Sequence, residues 1–168
     1  DQLIRADLVI TTGGVSVGAY DVVKEALGRM GTVSFDRVAM QPGMPQGFGT
    51  IGPDSTPIFT LPGNPVSAFV SFEMFVRPVL RRMQALEPLH RPTVRAVLKD
   101  AVTSPAGKRQ FLRGDLGVED GRYVVSAVGG PGSHLLAGLA NANCLIVVPD
   151  ETTHLSVGDA VTVIMLER

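Results

Sequence analysis

The stretch DLVITTGGVSVGAYD, residues 7–21, decides the fold predicted for this chain. The apolar run at residues 8–10 predicts a strand covered on both faces, and helical periodicity begins only at Val22. A glycine-rich loop therefore joins the carboxyl end of a strand to the start of a helix, which is where open α/β sheets bind their ligands. The sequence predicts an α/β fold with a binding site at this turn.

The loop contains the glycines that an anion site requires. Gly13, Gly14 and Gly18 permit positive φ and a close approach of the backbone, so amide N–H groups can surround a phosphate at a helix N-terminus. Ala19 and Tyr20 stand where a nucleotide-binding P-loop has its lysine and its hydroxyl residue, which excludes that motif. A tight turn without any ligand is the alternative interpretation.

A second punctuated motif, LPGNPVSA at residues 61–68, also follows a predicted strand. Gly63 supplies the turn, Asn64 is a favourable N-cap, and Pro65 fits the first helical position because its missing N–H costs nothing there. The helix that follows is apolar around most of its circumference, which predicts burial. Pro78 is expected to kink this helix or remove one of its backbone hydrogen bonds.

The pattern changes after LEPLHRP, residues 86–92, because the later periodic segments have period two. Their number and spacing predict a small barrel or folded sheet. The candidate strands are residues 93–99, 110–115, 123–128, 144–148 and 161–166.

Charge and composition exclude several classes of protein. Fifteen basic and 16 acidic residues give a net charge of −1, so no overall field attracts nucleic acid or a membrane surface. No apolar run approaches the roughly 20 residues of a membrane helix. The single cysteine, Cys144, lies in an apolar strand, which favours a core position and a reducing, cytoplasmic compartment. The three histidines lack metal-ligand spacing.

Together the segments TTGGVSVGAYD, QPGMP, LPGNPVSA, FLRG and GSHLLAGLANANCLIVVP resemble the molybdopterin molybdenumtransferase (MoeA) family, which includes the gephyrin E domain. The resemblance implies that residues 1–85 form an N-terminally truncated, three-layer α/β domain of the molybdopterin-binding, MogA-like type. Residues 86–92 would be a linker, and residues 93–168 would form a small all-β, barrel-like C-terminal domain.

The resemblance also implies an activity. Proteins of this family insert molybdate into adenylylated molybdopterin with Mg²⁺, release AMP and usually act as homodimers. Further segments are expected upstream, so these 168 residues alone are expected not to complete catalysis. A molybdopterin adenylyltransferase with the same α/β fold and a non-catalytic, dimerising scaffold of the gephyrin E type are the alternatives.

The family motifs assign roles to three groups of residues. Phosphate and pterin would be bound by the two glycine bends, comprising Gly13, Gly14, Val15, Ser16, Gly18, Pro62, Gly63, Asn64 and Pro65. The oxyanion would be bound by the QPGMP loop and three polar side chains, comprising Gln41, Pro42, Gly43, Met44, Pro45, Ser67, Arg113 and Ser133. Asp21 would act in catalysis through Mg²⁺, because a carboxylate near an anion requires a bridging cation; its alternative role is to cap the following helix.

One departure from the family pattern affects the oxyanion site. The loop QPGMP commonly reads KPGKP in the family, so Gln41 and Met44 replace two lysines. Either Arg113, Lys108 and Arg109 compensate for the lost charge, or the chain handles the anion differently. Arg113 is the strongest single candidate, because a planar guanidinium offers fixed donors to a tetrahedral anion.

Overall fold

The computed structural model describes residues 6–14, 22–129 and 136–166. The first part of the chain contains β1 (Val9–Thr12), α1 (Val22–Met30), β2 (Ser34–Arg37), β3 (Met40–Gln41), β4 (Pro45–Ile51), β5 (Thr56–Leu61), α2 (Pro65–Ser71), a π-helical turn (Phe72–Val76) and α3 (Arg77–Met83). The second part contains β6 (Thr93–Leu98), β7 (Val102–Thr103), β8 (Arg109–Glu119), β9 (Arg122–Ala127), α4 (Leu136–Ala140), β10 (Cys144–Val148), β11 (His154–Leu155) and β12 (Ala160–Met165).

The first part of the chain is a four-stranded mixed sheet with the strand order β1-β5-β4-β2. β1 runs parallel to β5, whereas β4 is antiparallel to both β5 and β2. One apolar cluster, including Leu27 of α1, packs on one face of this sheet, and a second, including Val76, packs on the other. Helices on both faces make this the predicted three-layer α/β arrangement.

β1 differs from the prediction of a strand covered on both faces. It extends through both threonines to Thr12, its residues are at most half-buried, and Ile10 remains 39% exposed. Within the described part of the chain β1 pairs only with β5 and forms an edge of the sheet. An apolar run therefore indicated the strand correctly but not its burial, because burial depends on the neighbouring strands.

The second part of the chain closes into the predicted five-stranded barrel. Hydrogen bonding runs β8-β10-β12-β6-β9 and returns from β9 to β8, so the sheet closes on itself. Its interior contains small and branched apolar side chains, among them Val125, Ile146 and Val163. β8 is the longest strand, and it pairs with β10 along its first half and with β9 along its second half.

The loop after β2 departs from the sequence prediction. The QPGMP segment is not only a loop, because β2 ends at Arg37 and Met40–Gln41 forms a strand of its own. This strand, β3, pairs in parallel with the start of β8, and the Arg109 N–H donates to Ala39 O at 3.0 Å. The QPGMP segment therefore connects the α/β sheet to the barrel.

The long apolar helix begins and breaks where its sequence predicts. Asn64 Oδ1 accepts a hydrogen bond from the Val66 N–H at 3.2 Å, and Pro65 occupies the first turn. A π-helical turn precedes Pro78, and there the Arg77 N–H donates to Phe72 O, five residues back. Proline has no N–H and its ring crowds the carbonyl four residues earlier, so the backbone shifts register by one residue.

The α/β part and the barrel share an apolar interface. Val66 and Val70 of α2 pack with Phe111 and Leu145 on the outer face of the barrel, and Met40 of β3 completes this buried cluster. None of the helices in the described ranges is long and apolar enough to cross a lipid bilayer.

Two glycines should respond oppositely to replacement by alanine. A Cβ at Gly49 would lie 2.4 Å from Thr32 O and 2.6 Å from Val33 Cα, both backbone atoms, so Gly49→Ala should lower the free energy of unfolding by about 1–3 kcal/mol. Gly28 is exposed in α1 with nothing within 4 Å of such a Cβ, so Gly28→Ala should raise it by roughly 0.5–1 kcal/mol. Urea unfolding measures both changes, and equal midpoints for the two variants would contradict this packing.

Candidate functional site

The two glycine bends lie side by side at the carboxyl ends of β1 and β5. The Gly13 N–H donates to Leu61 O at 2.9 Å, and Gly13 and Gly14 have φ of +87° and +76°. A Cβ at Gly63 would lie 3.1 Å from Gly13 Cα, so the contact between the bends favours glycine at this position. This places part of both predicted pterin motifs at one edge of the sheet, where α/β folds bind ligands.

Several predicted site residues lie outside the described residues. They are Val15, Ser16 and Gly18 of the first bend, Asp21 at the start of α1, and Ser133 before α4. Their assignment to phosphate, Mg²⁺ and oxyanion remains a prediction. Within the described ranges, His, Cys, Asp and Glu form no group of three that could hold a metal ion.

The second bend leads directly into α2. Pro62 is buried, Asn64 caps the helix through its side chain, and Pro65 begins the first turn. Ser67 follows within that turn and is 7% exposed. Asn64 therefore caps the helix, and the roles in binding predicted for Pro62, Asn64 and Ser67 remain predictions.

The QPGMP loop is held by contacts to the α/β part. Gly43 is buried at φ +98°, and a Cβ there would lie 2.7 Å from Ser71 Oγ. Gln46 Nε2 donates to Gly43 O at 2.6 Å and also to Ser71 Oγ. These contacts fix the loop between α2 and the barrel, with Pro45 already part of β4.

Met44, at the second lysine position of the family pattern, contacts an arginine of the α/β part. Its sulfur accepts hydrogen bonds from Arg37, from Nε at 3.2 Å and from a terminal guanidinium nitrogen at 3.1 Å. Gln41 and Pro42, by contrast, line a cavity at the junction with the barrel. The two positions of the KPGKP pattern therefore have different surroundings in this chain.

The cavity has a volume of about 220 Å³ and is lined by residues of both the α/β part and the barrel. It is lined by Gln41, Pro42, Val66, Ala101, Val102, Thr103, Gln110, Phe111, Leu112, Arg113, Ala127 and Val128. A water occupies about 30 Å³ of liquid, and pockets for drug-sized ligands usually measure about 300–1,000 Å³. The size therefore suits a small anion with a few waters better than a whole pterin.

An open stretch of β8 borders this cavity. β3 pairs with β8 only as far as Gln110, and the pairing with β9 begins at Gly114. Among the described residues, no strand lies beside the three intervening residues on that edge, and the Val128 N–H donates to Arg113 O at the far end. Unpaired strand edges present backbone N–H and C=O groups, so this stretch of β8 adds polar groups to the otherwise apolar interface between the α/β part and the barrel.

Arg113 brings positive charge to the cavity. It is 5% exposed, and a terminal nitrogen donates to Gly129 O at 2.8 Å. Burial lowers the pKa of the Arg113 guanidinium, but an arginine side chain stays protonated at neutral pH. Gly138 of α4 lies close beside it, since a Cβ there would be 3.6 Å from Arg113 Cζ. A buried, fixed guanidinium is the donor that a tetrahedral anion requires.

The two nearby cations proposed as compensation do not line this cavity. Arg109 is exposed and borders a separate groove with Asp150 and Met74, and Lys108 does not contribute to the cavity wall. Within the described residues, Arg113 is the only ionisable side chain among those lining the cavity. Compensation of the lost charge by Lys108 and Arg109 therefore remains a prediction without a contact in this cavity.

Two further residues complete the chemical description. Cys144 is fully buried, and burial raises the pKa of its thiol to about 12, so it is not a nucleophile at neutral pH. Gln110 was not identified as a site residue from the sequence, although it lines the cavity. The signal was present, because period two places Gln110 on the same strand face as the inward-facing Leu112 and Leu116.

Two family models match this chain. One describes a probable molybdopterin binding domain and matches residues 1–82. The other describes the MoeA C-terminal region, domain IV, and matches residues 95–166. Together they leave only residues 83–94 and the last two residues unmatched.

Curated proteins and solved structures give the same relationship. Molybdopterin molybdenumtransferase 2 of Mycobacterium tuberculosis is 51% identical over 161 residues, which are 92% of this chain and 39% of that protein. Gephyrin of Dictyostelium discoideum is 34% identical over 184 residues, covering 96% of this chain and 26% of that protein. The crystal structure of a molybdopterin biosynthesis MoeA protein from Pyrococcus horikoshii superposes with a TM-score of 0.79 at 27% identity, covering 99% of this chain and 39% of that one.

Proposed function

Because the chain belongs to the molybdopterin molybdenumtransferase (MoeA) family, we propose that it carries part of the site that inserts molybdate into adenylylated molybdopterin. The observation that carries this proposal is the buried Arg113 of the barrel in a cavity bordered by the QPGMP loop and the start of α2. The cavity supplies fixed positive charge for a small oxyanion, and the neighbouring glycine bends are the proposed cradle for the pterin phosphate.

Positioning is the main catalytic contribution of these residues. Arg113 holds the oxyanion through donors that are fixed before it binds, so little reorganisation is required as charge shifts. Its side chain is held in turn by Gly129 O and by the close approach of α4. The apolar walls of the junction, including Val66 and Phe111, limit the water that competes for these hydrogen bonds.

The proposal also includes Mg²⁺ as a cofactor, release of AMP, dimerisation and a cytoplasmic location. Bound Mg²⁺ would neutralise charge on the phosphate, and Asp21 is its proposed ligand. No carboxylate lines the cavity within the described residues, so the oxyanion contacts proposed for this cavity come from Arg113 and the polar groups beside it.

The proposal is tested by incubating the purified intact protein with adenylylated molybdopterin and Mg²⁺, with and without molybdate. We expect that AMP is released only when molybdate is present, and chromatography measures the AMP. Pterin binding without molybdate-dependent AMP release would support the scaffold alternative. Synthesis of adenylylated molybdopterin from the free pterin and ATP would support the adenylyltransferase alternative, which the matched C-terminal region disfavours.

A further inference from the structure

Gln110 is a buried polar side chain whose hydrogen bonding is incomplete. It is 3% exposed, and among the described residues its Oε1 is a buried atom without a hydrogen-bond partner. Buried side-chain amides are nearly always hydrogen-bonded, and leaving one unsatisfied costs free energy. Gln110 lines the cavity that contains Arg113, so a ligand in this cavity is the natural partner for its carboxamide.

Gln41 lies beside Gln110 on the neighbouring strand, where the α/β part meets the barrel. The two are register partners in the parallel pair β3–β8, so their side chains project from the same face of the sheet. Neighbouring strands in a sheet lie about 4.8 Å apart. Both line the cavity, and both are neutral. Gln110 and Arg113 project from opposite faces of β8, yet they reach one cavity because the strand edge between them is open.

A carboxamide can donate or accept a hydrogen bond at such a site. Rotation by 180° exchanges Oε1 and Nε2, so Gln110 can direct an N–H towards an oxyanion without adding charge. With Gln41 also neutral, Arg113 is the only charge among the described residues that line the cavity. Because the pair at positions 41 and 110 adds no charge, an entering anion meets the positive charge of Arg113, and a charged side chain at either position of the pair would change that total.

We propose that Gln110 contacts the oxyanion in this cavity and that the facing pair Gln41–Gln110 sets the charge and hence the anion affinity of the site. The inference rests on the proposed function, because it takes molybdate as the ligand.

Replacing Gln110 with leucine separates ligand binding from a structural role. We expect Gln110→Leu to weaken molybdate binding to the intact protein about tenfold or more, measured by isothermal titration calorimetry, because a hydrogen bond to a charged group is lost. The melting temperature of the ligand-free protein should stay level or rise, because an unsatisfied buried oxygen is removed. A glutamine with a purely structural role would give the reverse pattern. Gln84→Leu, the same change at an exposed position outside the cavity, should alter neither value.

Charge exchange across the pair gives an independent test. Gln41→Lys should strengthen molybdate binding, and Gln110→Glu should weaken it more than leucine does, because it adds a like charge beside the anion. In the double variant Gln41→Lys with Gln110→Glu, the two new charges should pair with each other, so its affinity for molybdate should differ by at least about threefold from the sum of the two single effects, as expected for two directly coupled positions. Additive effects in the double variant would overturn the pairing.

The outcomes distinguish this inference from the function on which it rests. Wild-type protein that binds molybdate, together with a folded Gln110→Leu variant that binds it equally well, would overturn the contact and leave the function intact. Wild-type protein that binds adenylylated molybdopterin but no molybdate would overturn both the oxyanion function and this inference. A selective loss of molybdate binding in Gln110→Leu, with pterin binding unchanged, supports both.

Discussion

Replacing Arg113 with leucine should reduce molybdate-dependent AMP release at least a hundredfold. A planar guanidinium can give an oxyanion two charge-assisted hydrogen bonds, each worth about 1.5–3 kcal/mol, and each 1.4 kcal/mol is a factor of ten in rate. Arg113→Lys should retain part of the activity, because the charge remains while the fixed fork of donors is lost. Steady-state assays at saturating pterin and varied molybdate measure both variants.

The control for this experiment is an arginine of the same barrel with its side chain in water. Arg122 begins β9 and is exposed, so Arg122→Leu should leave the rate unchanged. Melting temperatures must be compared, because Arg113 also donates to Gly129 O and its loss removes that contact. An Arg113→Leu variant that is folded and retains a third of the wild-type rate would refute the assignment of Arg113 to the oxyanion.

The second large effect is expected at Glu73, which ties the π-helical turn to the segment before the barrel. Its carboxylate is 5% exposed and accepts two hydrogen bonds from Arg91, at 2.6 and 3.0 Å. Arg77 approaches the same carboxylate at 3.7 Å and donates to Leu89 O at 3.1 Å. The predicted linker, residues 86–92, is therefore held to the long helix by charged groups.

Glu73→Gln should lower the free energy of unfolding by about 3–5 kcal/mol, because removing one member of a buried ion pair leaves the opposite charge uncompensated. At about 2–4 °C per kcal/mol for a chain of this size, the melting temperature should fall by roughly 6–20 °C. Differential scanning calorimetry measures this change.

An exposed ion pair provides the comparison for Glu73. Lys99 and Glu119 form a contact of 2.7 Å on the surface of the barrel, so Glu119→Gln should lower the melting temperature far less than Glu73→Gln does. The double variant Glu73→Met with Arg91→Leu should recover much of the lost stability, because apolar side chains of similar volume need no charge compensation. A Glu73→Gln variant that melts within 2 °C of the wild type would contradict the buried pair.

The local features of the fold could be predicted because they depend on a few adjacent residues. Asn64 and Pro65 favour the start of a helix through contacts within its first turn, and Pro78 disturbs the helix around it for steric reasons that involve only one turn. The five barrel strands were located from their alternation to within a few residues, apart from β8, which extends to Glu119. Their number and spacing left a barrel and a folded sheet open, and the pairing of β9 with β8 decided for the closed barrel.

The candidate site was predictable only in part. Motifs identified Arg113 and Gln41 as candidates, and the structure brings both to one cavity. Gln110 does not stand out in the sequence because a glutamine in a strand usually faces water, and the hydrogen bond between the Met44 sulfur and Arg37 was not predicted. Each of these outcomes depends on a residue or strand that lies elsewhere in the sequence.

By itself, the sequence determined the strand–glycine–helix turns, the helix cap at Asn64, the interrupted helix and the family to which the chain belongs. Tertiary structure alone decided that β3 crosses to the barrel, that an edge of β8 stays open there, and that Arg113 and Gln110 are buried around one cavity. The physical reason is the distance along the sequence over which each interaction acts. Backbone preferences and periodicity act over a few residues, whereas burial and hydrogen-bond partners are set by segments that meet only when the chain has folded.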